Sequence, residues 1–181
     1  MMDWLLVGLG FTGAMAFWFT LRIIARNVGL MSQTTAHFTQ KGDCTDTIVK
    51  AIRRARSEIL VQAHSFTCAA IADALADARR RGVLVTILLD RGSEKQTYSE
   101  LKDLSQKGLL PFVSNQHQRL HDQVLVIDRR TVITGSFPFT AQEGKDNAAN
   151  IVVLNKQDEL AAEFRRNFLK QQANCSAPTS A

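Results

Sequence analysis

Histidine, carboxylate and hydroxyl side chains occur close together in one part of this 181-residue chain. The segment His121-Asp-Gln-Val-Leu-Val-Ile-Asp128 is followed by Thr134-Gly-Ser-Phe-Pro-Phe-Thr140, which contains Ser136. A histidine can act as a nucleophile or transfer protons near neutral pH, and a serine hydroxyl can bond a phosphoryl oxygen. We therefore take His121, Asp128 and Ser136 as the candidate catalytic residues, with Asp128 expected to support the motif structurally.

The composition is that of a globular protein with a basic surface. Apolar residues make up 45% of the chain and charged residues 22%, and the net charge is +5 with a pI of about 9.4. This charge suits a partner that carries phosphate, although a basic soluble surface explains it equally well. The three cysteines, Cys44, Cys68 and Cys175, form no C-x2-C pair. We therefore expect no zinc site, and the composition indicates no other metal or cofactor.

Apolar patterns alternate between helical and strand periods along the body of the chain. This alternation predicts an α/β fold, with a mixed, mostly parallel sheet flanked by helices. We also expect a transmembrane helix before this domain. The predicted helices are a first helix that ends near Arg56, then 69–81, 93–106 and 158–171. The predicted strands are 58–63, 83–90, 110–113, 123–127, 131–135 and 151–154.

The N-terminal region contains an uncharged run of residues from Trp4 to Leu21. Its length is close to the lower limit for a helix that crosses a membrane, and a cleaved signal segment is the alternative. Arg22 and Arg26 follow the run, which predicts a cytoplasmic body, with a secreted or periplasmic body as the alternative. The predicted organisation is an anchor over 4–26, a linker over 27–42, a catalytic-type domain over 43–172 and a disordered tail over 173–181.

From about Thr45 to Leu169 the chain resembles the small, single-motif phospholipase D-like nucleases. The family motif is H-x-K-x4-D followed by G-S-x-N, and His121, Asp128 and Gly135-Ser136 fit it. The other landmarks, in order, are Ile48-Val-Lys-Ala-Ile, Ser57-Glu-Ile-Leu-Val, Ser65-Phe-Thr67, Arg80-Arg-Gly82, Asp90, Asn147 and Asn150. The resemblance implies a homodimer with a shared active site. In that site one histidine attacks phosphorus and forms a phosphohistidine, the other protonates the leaving oxygen, and the reaction needs no metal or other cofactor.

Three positions depart from the family pattern. Gln123 stands where the family has lysine, Pro138 where it has asparagine, and Ala149 where the nucleases have a glutamate that orients a histidine. These changes remove positive charge, a donor and an orienting carboxylate from the site, so we expect attenuated or altered phosphodiesterase activity. The alternative is an inactive relative that binds phosphodiesters or scaffolds a membrane complex.

Other residues are candidates for substrate binding. Gln123, His64 and Asn147 are the weaker candidates. His64, at the end of the first core strand, is either a replacement donor for the altered site or a partly buried histidine with a structural role. Basic clusters occur at 53–56, 79–81, 129–130 and 165–166, either as solvated faces or as surfaces for nucleic acid or anionic lipid. The substrate class, phospholipid or nucleic acid, stays open at this point.

Overall fold

The computed structural model describes residues 3–27, 33–41, 44–90, 94–114, 121–140 and 148–176. The chain divides into two compact units, residues 1–33 and residues 34–181. The first unit contains helix α1 (Asp3–Asn27), in which the guanidinium of Arg22 lies 5.0 Å from the centre of the Trp18 ring. The hydroxyl of Thr20 donates a 2.7 Å hydrogen bond to the carbonyl of Ala16 within this helix.

The predicted transmembrane anchor needs correction. A helix that spans the hydrocarbon core needs about 20 consecutive apolar residues. Within the residues that the structure describes, no helix combines the length and the hydrophobicity that crossing a membrane requires.

The remaining elements form one eight-stranded sheet with helices packed against it, which confirms the predicted α/β class. The sheet has the strand order β1-β7-β6-β5-β2-β3-β4-β8. The elements are β1 (Gln33–Phe38), a 3-10 turn (Thr39–Lys41), α2 (Cys44–Arg54), β2 (Glu58–Ala63), α3 (Ala69–Arg80), β3 (Leu84–Leu89), α4 (Glu94–Gln106), β4 (Phe112–Ser114), β5 (Val124–Ile127), β6 (Thr131–Gly135), β7 (Asn150–Asn155), α5 (Asp158–Gln172) and β8 (Cys175–Ser176).

The sheet is mixed, as predicted, but it is not mostly parallel. Strands β2, β3 and β4 run parallel because helices α3 and α4 return the chain between them. Strand β5 is antiparallel to β2 and to β6, and β6 is antiparallel to β7. The turn between β5 and β6 is too short for a crossover, since parallel strands need a connection of about a dozen residues or more.

Apolar side chains fill both faces of the sheet. On one face, Ile52 of α2 and Leu75 of α3 belong to the larger core cluster together with Val61 of β2. On the other face, Phe168 of α5 packs in a smaller cluster with Leu60 of β2. Alternate residues of β2 therefore enter opposite cores, as the two-residue period of a strand requires. Because helices cover both faces of the sheet, packing on each face holds β2 and its neighbours in place.

Two predictions about irregular segments were wrong. Strand β1 lies in the segment predicted as a linker, and β8 lies in the segment predicted as a disordered tail. β1 is largely exposed and polar, and β8 has only two residues, Cys175 and Ser176, which pair with β4. Both are edge strands held by main-chain hydrogen bonds, so the apolar pattern gives no signal for them.

Candidate functional site

Five strand ends meet at one edge of the sheet. Strands β2 and β3 end side by side, where Ala63 pairs with Leu89. Strand β5 starts at the same edge, because Val124 lies opposite Gln62 of β2. Strand β6 ends there, with Thr134 opposite Val124, and β7 begins there. Polar residues that follow or precede these ends are therefore brought together, although the chain separates them widely.

Two histidines come together at this edge. His64 follows β2 and His121 precedes β5, and their rings stack with centroids 5.8 Å apart and an interplanar angle of 25°. Asp90 follows β3, and its Oδ2 atom lies 2.8 Å from Nδ1 of His64. The atoms are close, but their geometry is not that of an aligned hydrogen bond. Of the predicted site residues, the structure thus places His64 next to His121, and it adds Asp90.

Hydrogen bonds from buried polar side chains fix the segments that carry both histidines. The amide nitrogen of Gln62 donates 2.8 Å bonds to a carboxylate oxygen of Asp122 and to the amide oxygen of Gln171. The hydroxyl of Ser65 donates a 2.5 Å bond to the carboxylate of Glu100, which also accepts from the Phe66 N–H. Residue patterns along the chain did not predict these partners. Gln62, a polar residue inside a strand and flanked on both sides by apolar residues, was the available signal.

The close approach of β7 explains why the motif has a glycine at position 135 before Ser136. A Cβ atom on Gly135 would lie 2.2 Å from the carbonyl oxygen of Asn150, so only glycine permits this approach of β7. The hydroxyl oxygen of Ser136 accepts a 3.2 Å hydrogen bond from the backbone N–H of Asn150, and the Asn150 side-chain amide lies 3.4 Å away. Ser136 is exposed, so its hydroxyl proton can be donated to a ligand.

Pro138 lies between two anchored phenylalanines. Phe137 and Phe139 are buried, and the Phe139 ring meets the Phe66 ring edge-on at 6.0 Å. The carbonyl of Phe139 accepts hydrogen bonds of 3.0 Å and 2.9 Å from the N–H groups of Thr67 and Cys68. The loop after Ser136 is therefore fixed against the end of β2, with a proline that offers no donor to a ligand.

The other altered positions differ in their surroundings. Gln123 is half-buried, and among the described residues its Oε1 atom is buried without a hydrogen bond. Ala149 is buried in the larger core cluster, and its carbonyl accepts a 3.0 Å hydrogen bond from the Thr39 N–H. Asn147 lies outside the described residues. The side-chain amide of Gln123 thus has an oxygen without a hydrogen-bond partner among the described residues, whereas Ala149 is part of the apolar core.

Asp128 lies at the opposite end of β5 from His121, roughly 20 Å away at about 3.3 Å per residue. Its carboxylate accepts hydrogen bonds of 3.0–3.1 Å from the Arg56 N–H, 2.8 and 2.9 Å from the Ser57 N–H and hydroxyl, and 3.2 Å from the Glu58 N–H. Partial burial acts to raise the pKa of Asp128, but these donors outweigh it and hold the pKa below its usual value. Asp128 therefore organises the turn before β2.

Ionic contacts at that same far end hold α5 against the sheet. The guanidinium of Arg165 bonds both carboxylate oxygens of the buried Glu58, at 2.9 and 3.2 Å, and lowers the pKa of Glu58. Burial acts to raise this pKa, and Arg129 at 3.3 Å lowers it further. In another basic cluster, Arg81 donates to the carbonyls that end α2. These arginines have structural partners within the chain.

The site combines two imidazoles, a buried carboxylate and an exposed hydroxyl at one sheet edge. This set can attack phosphorus, transfer protons and bond phosphoryl oxygens without a metal. In the part of the chain that the structure describes, no three histidine, cysteine or acidic side chains are grouped so that they could hold a metal ion.

Known proteins share both the sequence pattern and the fold. The family model described as "Cardiolipin synthase, PLD-like domain" matches residues 48–172. A phospholipase D of Rickettsia felis is 39% identical over 145 residues, which cover 80% of this chain and 72% of that protein. The crystal structure of Nuc from Salmonella typhimurium, a phospholipase D family member, superposes with a TM-score of 0.76 at 25% identity, covering 83% of this chain and all of that one.

The fold is also found at lower identity. NucT from Helicobacter pylori superposes with a TM-score of 0.69 at 16% identity, covering 81% of this chain and 99% of that one. The family match spans both histidines, the Gly-Ser pair and all helices from α3 to α5. On the motif, the fold and these matches, the chain belongs to the phospholipase D-like family.

Proposed function

We propose that this chain is a phosphoric diester hydrolase in which His121 is the nucleophile. The observation that carries the proposal is the position of His121, exposed at the edge where five strand ends meet and stacked on a second imidazole. The exposed Ser136 lies at the same edge and can donate to a phosphoryl oxygen. The family to which the chain belongs supports a phosphodiester as the substrate.

In the proposed reaction, an imidazole nitrogen of His121 attacks phosphorus and forms a P–N bond while the P–O bond to the leaving group breaks. The leaving oxygen takes a proton from a second histidine. Water then attacks phosphorus, the P–N bond breaks, and the proton of the water returns to the second histidine. Two easier steps thus replace one difficult step.

We propose a homodimer as the working unit. The chain contains one motif histidine of this kind, and the resemblance described above pairs two such motifs across a two-fold axis. The same histidine of a second copy would then protonate the leaving group. Light scattering coupled to gel filtration of the full chain tests this directly, because a protein that stays monomeric at assay concentration would rule out a shared site.

We also propose that the activity is attenuated. Gln123 brings an uncharged amide to the position of the family lysine, and loss of one donor to a developing oxyanion typically lowers the rate by roughly 10²–10³-fold. Pro138 removes a further donor in a loop that Phe137 and Phe139 hold in place. The effects of groups that act together are not additive, so we expect a slow enzyme.

Hydrolysis of bis(p-nitrophenyl) phosphate by the full chain at high enzyme concentration tests the proposed function. The comparison is with His121→Ala and with the control His37→Gln, whose histidine lies on β1 beside Thr35 and Thr47. We expect turnover that disappears in H121A and persists in H37Q. The name phospholipase D of a relative makes a phospholipid the first natural substrate class to try, with phosphatidylcholine vesicles as the probe. Single-stranded DNA is the second probe, because the family resemblance includes nucleases. Equal turnover by wild type and H121A would refute a His121 nucleophile.

A non-catalytic phosphodiester-binding protein is the second candidate function. The specific observation in its favour is that Ala149, at the position of the nuclease glutamate, is buried in the core rather than directed at a ligand. If this second function is correct, the wild-type chain shows no His121-dependent hydrolysis of bis(p-nitrophenyl) phosphate. Activity gained by Gln123→Lys with Pro138→Asn, and lost again on adding H121A, would identify a disarmed enzyme on an intact scaffold.

A further inference from the structure

His64 occupies a position at the site that no local sequence feature requires. It is the first residue after β2, and its ring stacks at a centroid distance of 5.8 Å on His121, which precedes the neighbouring antiparallel strand β5. The flanking Ser65 is fixed by Glu100, and Asp122 next to His121 is fixed by Gln62. The two rings are therefore held together by polar contacts on both sides.

The carboxylate of Asp90 lies beside one edge of the His64 ring, so the opposite edge is the one that a ligand can reach. The backbone N–H of Asp90 donates a 3.2 Å hydrogen bond to the carbonyl of Ala63, which ties the end of β3 to the end of β2. The Asp90 side chain is 1% exposed and lies 2.8 Å from Nδ1 of His64, an atom that is itself buried. The His64 side chain is nevertheless 40% exposed. The exposed part of the ring is thus the part that faces away from Asp90.

A carboxylate close to one ring nitrogen attracts an imidazole that carries a proton, and the other ring nitrogen is left for a ligand. Histidine can carry a positive charge near neutral pH, and a charged donor aimed at phosphoryl oxygens stabilises the charge that grows there. The family lysine would serve this purpose, and Gln123 provides no charge. His64 is therefore a cation-capable side chain next to the nucleophile at a site that has lost its lysine.

We propose that His64 is a catalytic residue of this site, which contacts the phosphoryl group at His121 and supplies the positive charge and the donor that Gln123 lacks. Asp90 is its positioning residue. This inference rests on the proposed function, because it assigns a second group to the phosphoryl site of His121. The competing explanation is structural, in which His64 serves only as a neighbour of the buried Asp90 carboxylate.

Binding of inorganic phosphate to the full wild-type chain tests the contact without any variant. With labelled histidines, the ring resonances of His64, His121 and His37 are followed by NMR during a phosphate titration. We expect His64 and His121 to shift along one binding curve while His37 stays unchanged. If His121 shifts and His64 does not, this inference alone is overturned. If neither shifts, the phosphoryl site itself is absent and the proposed function falls with it.

A double-mutant cycle tests whether His64 replaces the missing lysine. His64→Gln should lower kcat for bis(p-nitrophenyl) phosphate by about 10²-fold, the typical effect of losing one oxyanion donor. In the Q123K background the same substitution should have a much smaller effect, because the lysine already supplies the charge. H37Q is the matched control, and thermal unfolding of each variant checks folding. An equal loss in both backgrounds, or no loss in either, contradicts the proposed role.

Discussion

Replacement of Asp128 distinguishes a catalytic role of this residue from a structural one. The family motif places Asp128 among the catalytic residues, yet its carboxylate contacts Arg56, Ser57 and Glu58 at the opposite end of β5 from His121. We predict that Asp128→Asn destabilises the fold and leaves turnover per folded molecule unchanged. The asparagine keeps one acceptor oxygen and tolerates the left-handed backbone at this position, where φ is +52°.

The expected magnitude follows from these contacts. Hydrogen bonds to a charged group each contribute about 1.5–3 kcal/mol, but Arg56 and Ser57 are exposed, so water replaces much of what is lost. We expect D128N to lower the free energy of unfolding by about 2 kcal/mol, and thus Tm by about 4–8 °C for a chain of this size. Asp128→Ala should cost about 1–2 kcal/mol more, because alanine is unfavourable at this positive φ.

Urea unfolding and thermal melts followed by circular dichroism measure the stability, beside His121-dependent hydrolysis at a temperature where each variant is folded. The matched control is Asp77→Asn, whose exposed carboxylate pairs with Arg80 one turn away on α3. Such a surface pair contributes less than about 1 kcal/mol, so Tm should stay close to that of wild type. Loss of turnover in D128N with an unchanged Tm would falsify the structural assignment of Asp128.

Three further predictions concern stability. Gly135→Ala should lower the free energy of unfolding by about 1–3 kcal/mol, because its Cβ would overlap the Asn150 carbonyl, and an unchanged urea midpoint would contradict this reasoning. Because the pKa values of Asp128 and Glu58 are lowered in the folded protein, the stability they give is complete above their usual values of 3.8 and 4.5 and is lost as the pH falls below them. The urea midpoint should therefore drop between pH 5 and pH 3, and less steeply in Arg165→Met; parallel pH curves would show that Arg165 does not set this dependence. Ala149→Glu should lower Tm strongly, because it places a carboxylate in an apolar cluster, whereas a stable A149E variant would show that this position opens to solvent.

The core elements could be predicted from residue patterns because their signals are local. The apolar run over 83–90 predicts a buried strand, and the structure has β3 at Leu84–Leu89, of which Ile87–Leu89 is buried and Leu84 is exposed. The periodic apolar residues before Gly82 predict a helix, which is α3, and Gly82 adopts a φ of +90° after it. Strands β1 and β8 could not be predicted in this way, since main-chain pairing at a sheet edge needs no apolar alternation.

The predicted mixed, mostly parallel sheet shows what local patterns do not determine. A buried strand is apolar whether its neighbours run parallel or antiparallel, so composition does not report the direction of β5, β6 and β7. Direction depends on the connections, and the short turn after Ile127 forces β5 and β6 to run antiparallel. The antiparallel pairing of β5 with β2 then places the start of β5 at the end of β2.

By itself, the sequence determined the motif around His121, the Gly135-Ser136 pair and the absence of charge at Gln123. Only the tertiary structure decided that His64 and Asp90 stand beside His121 and that Asp128 does not. The physical reason is that strand order and register set these neighbours, whereas spacing along the chain does not. Residues that follow β2 and β3 and precede β5 meet because the hydrogen bonds of the sheet align those three ends.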